Sequence, residues 1–249
     1  LRFQQVAGNT AGMSAQHQAP LPLLIPRPLP QAEAFADTLL ARMPGRWAPV
    51  IAPLMRIAPL GAAIDAVPGT PLLFSSRNAV AAATPLLDPS AHRALCVGSA
   101  TTAAANDAGF DAREGGPDAA TLIENLQRDS RDSAASWLHL RGVHTTGNLA
   151  ASLRAIGVSA RDAVIYDQRP VPLPEPVTQD LRSGRIAAVT LFSRRSALLL
   201  LQAVPDLSAE VALMCLSPAV AEAIPADRSN PVHVAPYPDA DGMRTLLGR

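Results

Sequence analysis

The segments Pro71–Leu87, PLLFSSRNAVAAATPLL, and Ala188–Val204, AVTLFSRRSALLLLQAV, carry one pattern twice. Each opens with a short apolar run that lacks polar alternation, the signature of a strand covered on both faces. Each then passes through Phe-Ser and an Arg into a stretch rich in Ala and Leu. A Ser just ahead of a first helical turn can cap its exposed amides. Buried strand, polar turn and helix together are the building block of a parallel sheet.

Two more patterns recur on either side. Leu21–Gly45, LPLLIPRPLPQAEAFADTLLARMPG, is echoed by Ser136–Gly157, SWLHLRGVHTTGNLAASLRAIG. In both an Arg (Arg27, Arg141) follows the strand, and apolar residues return at helical spacing: Phe35, Leu39 and Leu40; Leu149, Leu153 and Ile156. Ala94–Phe110, ALCVGSATTAAANDAGF, is echoed by Ala212–Ile224, ALMCLSPAVAEAI. The order is A-B-C-A′-B′-C′, strands alternating with helices, which predicts an α/β fold with parallel sheets. The links from A to B (residues 47–69) and from A′ to B′ (residues 163–184) are long and Pro-rich. Pro forbids helix there and favours extended or edge chain. Each link holds a short extended segment, Val50–Ile57 and Val164–Val171, and the pair marks domain boundaries.

The chain has 249 residues, 48% of them hydrophobic, with a formal net charge of +0. That suits one large domain or two of about 100–120 residues. The charge balance argues against a general nucleic-acid binder. All 21 basic residues are Arg. Without Lys there is no Schiff base, no pyridoxal-phosphate anchor and no P-loop, so an anion must be held by Arg, hydroxyls or backbone N–H groups. Cys96 and Cys215 lie in apolar runs and read as buried free thiols. The histidines show no metal-ligand spacing, so no metal is expected. No apolar run has the length of a membrane span, and residues 1–20 have no signal-peptide pattern. They read as a flexible arm or an expression remnant, and the expected compartment is the cytoplasm.

The ordered set of short motifs resembles the uroporphyrinogen-III synthase family. It is carried by Ile25-Pro26-Arg27-Pro28, Leu73-Phe74-Ser75-Ser76-Arg77-Asn78-Ala79-Val80, Val97-Gly98-Ser99-Ala100-Thr101-Thr102-Ala103, Leu140-Arg141-Gly142, Val164-Ile165-Tyr166, Leu191-Phe192-Ser193 and Ser217-Pro218-Ala219-Val220-Ala221. The tail PYPDADGMRTLL, residues 236–247, fits as well. The resemblance implies two parallel-sheet α/β domains joined by a two-stranded linker, the second domain inserted into the first. Residues 21–50 and 177–249 would form domain one, 51–65 and 159–176 the linker strands, and 66–158 domain two. Units A, B′ and C′ would then share the first domain, and B, C and A′ the second. The implied reaction is closure of hydroxymethylbilane, a linear tetrapyrrole with eight carboxylates, to uroporphyrinogen III, with ring D inverted, water lost and no cofactor used. Hydroxymethylbilane synthase would hand over the substrate, and a monomer with no nucleic-acid or membrane partner is expected.

A flexible polyanion is cyclised by holding its ends together, which a cleft between two hinged domains would do. Ligands of parallel sheets lie at strand carboxyl ends, where helix N-termini offer unpaired amides. Ser75, Ser76, Ser99, Ala100, Thr101, Gly142, Ser193, Ser217, Pro218 and Ala219 lie at such turns and are the candidate carboxylate contacts. Arg27, Arg77 and Arg141 are the candidate cations. Tyr166 matches the family tyrosine proposed to protonate the departing hydroxyl, a task for which a phenol with a pKa of about 10 is a weak acid. Each residue has a plainer reading too: helix caps for the hydroxyls, surface ion pairs for the arginines, ring packing on the ladder for Tyr166. His144 reads as a solvated loop histidine and His139 as structural, and no Ser-His-Asp arrangement is visible in the sequence. Pro26, Ser217 and Val220 depart from the family pattern. They leave open an inactive, synthase-like tetrapyrrole-binding or interaction module.

Overall fold

The computed structural model describes residues 19–61, 63–129, 132, 134–145 and 147–249. The arm expected over residues 1–20 lies outside them except for its last two positions. In chain order the elements begin β1 (Leu21–Ile25), α1 (Leu29–Arg42), β2 (Trp47–Ile51), β3 (Met55–Pro59), β4 (Leu72–Phe74) and α2 (Arg77–Ala83). They continue β5 (Arg93–Val97), α3 (Ser99–Asp107), β6 (Asp111–Gly116), α4 (Ala119–Arg128), β7 (Trp137–Gly142), α5 (Leu149–Ala155) and β8 (Ala160–Pro170). The last are α6 (Glu175–Arg182), β9 (Ala188–Leu191), α7 (Arg194–Ala203), β10 (Ala212–Cys215), α8 (Pro218–Ala221), β11 (Val232–Val234) and α9 (Ala240–Leu247).

The chain divides into two compact units, Leu1–Pro53 with Leu173–Arg249, and Leu54–Pro172. The first holds a parallel sheet in the order β11-β10-β9-β1-β2. Leu23, Leu24 and Ile25 of β1 are completely buried, as an apolar run without alternation requires. Helix α1 starts at a Pro-rich turn, where Pro lacks only an amide that has no helical partner. Its buried stripe is Ala32, Phe35, Ala36 and Leu39, the spacing of one helix face. Phe35 meets Phe192 edge-on at 5.1 Å. The same cluster takes in Met243, Leu246 and Leu247 of α9. The buried Trp47 Nε1–H donates to the Leu247 carbonyl at 3.0 Å, which ties α9 to the edge of the first sheet.

The second unit holds a sheet in the order β3-β8-β7-β4-β5-β6, parallel except where β3 runs antiparallel to β8. Successive side chains pass to opposite faces. Leu72, Phe74, Leu138 and Leu140 pack with Ala79 and Val80 of α2 and Ala105 of α3. Leu73, Leu95 and Trp137 pack on the other face with Leu122 and Leu126 of α4 and Leu149 and Leu153 of α5. Cys96 and Cys215 are buried free thiols, pushed up to about 11 by desolvation.

The three-unit repeat is visible in the sheets. The orders β11-β10-β9-β1-β2 and β6-β5-β4-β7-β8 correspond strand for strand, with the C, B and A echoes in the same places. Each sheet takes its A strand from one half of the chain and its B and C strands from the other. The extended segments of the two links differ from the sequence reading. Val50 and Ile51 close β2 of the first sheet, whereas Met55 opens β3 of the second, and Pro53 between them has no N–H for a ladder. Strand β8 pairs in parallel with β7 along one part and antiparallel with β3 along another, so the β3–β8 ladder continues the second sheet. The outer strands β6, with the sequence DAREGG, and β11 are too polar or too short to show as apolar runs.

Phe35→Ala should cost about 3–5 kcal/mol, the usual loss for a buried Phe. The exposed Leu40→Ala should fall within about 0.5 kcal/mol of wild type. Urea unfolding of the two variants checks both.

Candidate functional site

In an open parallel sheet the crevice for a ligand opens at the carboxyl ends of two neighbouring strands whose chains leave in opposite directions. In the second unit those strands are β4, which leads through α2 to β5, and β7, which leads through α5 to β8 on the other side. In the first unit they are β9 and β1. Ser75, Ser76 and Arg77 directly follow β4, Arg141 and Gly142 end β7, and Arg27 and Ser193 lie just past β1 and β9.

The second unit brings most of its candidates into one connected group. The pairing of β7 with β8 shifts register between Arg141 and Gly142: Arg141 lies opposite Val164 and Gly142 opposite Tyr166. The extra residue is Ile165. A bulge breaks the two-residue alternation and re-aims the next side chain, and here Ile165 and Tyr166 enter the same buried cluster. The Tyr166 ring lies against Gly142, where an added Cβ would come within 2.7 Å of Cε2 and Cζ. Gly142 is therefore required by close approach. The Tyr166 hydroxyl is hydrogen-bonded to the Ser76 side chain, and burial pushes the phenol above its ordinary value. Ser76 also caps α2, accepting from the Asn78 N–H at 3.1 Å.

Arg141 is occupied within the unit. Its Nε–H donates to Asp162 Oδ1 at 3.1 Å and its Nη1 donates to the Gly142 carbonyl at 3.0 Å. Arg77 differs. Its guanidinium is half-buried, desolvation alone pushes its pKa down, and it has no ion-pair or hydrogen-bond partner among the described residues. A half-buried cation without a counter-ion is a ready contact for an external anion. Next to this turn, α3 begins at Gly98, whose φ of 79° is the left-handed conformation that Gly adopts without strain. No side chain caps α3, so Ser99, Ala100 and Thr101 present open amides, with Ser99 and Ala100 exposed.

In the first unit Arg27 bridges the two switch-point strands. Its guanidinium lies 3.8 Å from the Phe192 ring centroid and donates to Gln31 Oε1 at 3.0 Å. Ser193 is a helix cap: its Oγ accepts from the Ser196 N–H, and the Ser196 hydroxyl accepts from the Ser193 N–H. Its hydroxyl is thus occupied, as the plainer reading expects. Ser217 precedes α8 without a side-chain cap bond; Pro218 has no N–H, and Ala219 is exposed. His144 faces Asp167 at 3.5 Å and is partly exposed.

The family model described as uroporphyrinogen-III synthase HemD matches residues 37–244. The chain belongs to the uroporphyrinogen-III synthase family. Among solved structures, uroporphyrinogen-III synthetase from Helicobacter pylori is similar at a TM-score of 0.64 and 16% identity, over 91% of this chain and 97% of the other. A mutant uroporphyrinogen III synthase from the extremely thermophilic bacterium Thermus thermophilus is similar at a TM-score of 0.56 and 15% identity, over 92% and 96%. No curated protein sequence matches the chain.

For a member of the uroporphyrinogen-III synthase family, one part of the site was missed in the sequence. His139 lies on β7 opposite Asp162 of β8, and its Nδ1 is 3.0 Å from Asp162 Oδ1. Its Nε2 is 3.0 Å from Ser75 Oγ. The sequence reading saw no Ser-His-Asp arrangement; the structure contains one. The available signal was alternation: His139 and Arg141 share a face of β7. Their carboxylate partner emerges only from the β7–β8 register.

Burial pushes His139 below the ordinary 6.5, outweighing the hydrogen bond to Asp162 that raises it, and nearby Arg141 lowers it further. A depressed imidazole stays neutral in the fold while the unfolded chain takes up the proton. Its stabilising contribution is complete above pH 6.5 and is lost as pH falls from there through the lowered folded value. Urea unfolding should therefore show wild type losing more stability between about pH 7.5 and pH 5.5 than His139→Gln does. Equal slopes would contradict it.

Proposed function

We infer that the chain performs the reaction for which its family is named, closing hydroxymethylbilane into uroporphyrinogen III. The family match carries that reading, and the geometry of the strand ends supports roles for individual residues. The substrate is a flexible chain bearing eight carboxylates, so the task is to hold many anions while two ends meet. Arg77 and the open amides of Ser99, Ala100, Thr101 and Ala219 suit that task. Arg27, Arg141, Ser75, Ser76, Gly142, Ser193, Ser217 and Pro218 shape the same strand-end turns. Asp162, beside His139 of β7, is paired with Arg141, so its charge is compensated within the unit.

Tyr166 is the proposed proton donor to the departing hydroxyl. Its raised pKa keeps it protonated throughout the neutral range, and the Ser76 side chain meets its hydroxyl. As a weak acid it contributes by placement as much as by proton transfer. The open amides share the anion binding with Arg77 through main-chain dipoles. We place the enzyme in the cytoplasm, as a monomer supplied by hydroxymethylbilane synthase.

The test is the product isomer. Hydroxymethylbilane left alone closes to isomer I. With this chain added to freshly generated substrate, isomer III should dominate after oxidation and chromatography. Persistence of isomer I at high enzyme concentration would refute the assignment, and tight product binding with no isomer III would favour a binding-only protein. Tyr166→Phe should lower kcat by up to about 10²-fold, the low end of general-acid effects, with the fold intact by circular dichroism. Arg77→Ala should raise KM more than it lowers kcat.

A further inference from the structure

The connectivity of Ser75, His139 and Asp162 fixes where each proton sits. An ionised carboxylate only accepts hydrogen bonds. Asp162 Oδ1 receives the Arg141 Nε–H at 3.1 Å and lies 3.0 Å from His139 Nδ1, so Nδ1 carries the proton. In a neutral imidazole Nε2 is then bare, and the hydroxyl 3.0 Å away, that of Ser75, donates to it. The Ser75 proton is directed inward, and its remaining lone pairs face outward from an exposed residue. Such an oxygen is a poor donor to a carboxylate, which removes the role expected of Ser75 from the sequence. It is well arranged to accept a proton while passing its own to the imidazole.

We propose that Ser75, His139 and Asp162 form a proton-accepting relay in the ring closure, with Ser75 Oγ as the catalytic residue that touches the substrate and His139 and Asp162 acting through it. The proposal rests on the synthase reading above and adds the base that this reading lacks. Closure forms a bond at the free carbon of the terminal pyrrole, which must then lose its hydrogen to regain aromaticity. That proton goes to Ser75 Oγ as the Ser75 proton moves to His139 Nε2, and the C–H electron pair returns to the ring. Earlier in the cycle Tyr166 has given its proton to the departing hydroxyl, which leaves as water. The imidazolium returns its proton through solvent to the Tyr166 phenolate, so one water is lost and no further reactant is needed.

The surroundings agree with that assignment. The His139 side chain is 2% exposed, so Ser75 is its route to the crevice. The charged groups that face it are Asp162 from β8 and Arg141 from its own strand; Asp162 favours the imidazolium and Arg141 opposes it. Ser75 is the neighbour in sequence of Ser76, which holds the Tyr166 hydroxyl. The acceptor Ser75 thus adjoins the residue that contacts the donor Tyr166.

The test uses the full chain and hydroxymethylbilane with hydrogen or deuterium at the free carbon of its last ring. Wild type should form isomer III with a small isotope effect and a rate that falls on the acid side as His139 becomes charged. Ser75→Ala and His139→Gln should lower kcat by about 10²-fold or more with KM within about threefold, a general-base signature. Both should raise the isotope effect to about 3 or more, as proton transfer becomes rate-limiting. Ser75→Thr, which keeps a hydroxyl, should restore most of the rate. If His139→Gln fails to fold, the Ser75→Ala and Ser75→Thr pair still decides. Isomer III formed by wild type and Ser75→Ala at equal rates and with equal isotope effects would overturn the relay while leaving the synthase reading intact. Activity lost only through KM would overturn it too. Absence of isomer III from wild type would instead overturn the synthase reading.

Discussion

The parallel pairing of β4 with β7 is the contact on which the second unit's site depends. Leu72, Leu73 and Phe74 lie opposite Leu138, His139 and Leu140, and these two strands belong to different units of the sequence repeat. That register places Ser75 over His139 and the Ser76 turn beside Gly142. It is fixed because both faces are buried: a slip of one residue would carry Leu72 and Phe74 from one core cluster into the other. The bulge at Ile165 then performs a second adjustment, turning Tyr166 toward the same turn.

The proposed anion contacts follow from what these turns leave unsatisfied. In each unit some strand-end hydroxyls are consumed by capping, as at Ser193, and others by side-chain partners, as at Ser75. What stays available is the backbone amide at α3 and α8 and the Arg77 guanidinium. Main-chain donors are indifferent to side-chain identity, Pro aside, so the amides remain although Ser217 and Val220 stand where the family pattern differs. The Asp162 carboxylate, by contrast, is paired within the unit, serving both His139 and Arg141.

Much of this was legible in the residues. The apolar runs at 72–74, 94–97, 138–140, 188–191 and 212–215 are strands because little that is polar interrupts them. The Ser or Arg that follows each run sits at or just past the strand's end. The edge strands β6 and β11 were not legible, because a polar DAREGG or a three-residue VHV has no periodicity to read. Partner assignments were not legible either. Arg141 read as a ligand cation and proved to hold Asp162, and His139 read as structural and proved to join Ser75 to Asp162. Those outcomes depend on registers between strands far apart in sequence, and on a bulge with no composition of its own.

Amide hydrogen exchange with and without uroporphyrinogen III, kept reduced, tests most directly the proposal that the carboxyl-end turns of the second unit's sheet hold the tetrapyrrole. The account predicts slowed exchange at residues 98–102 and 76–78, with none at residues 67–71, at the opposite end of β4. Protection at 67–71 without protection at 76–78 and 98–102 would contradict it.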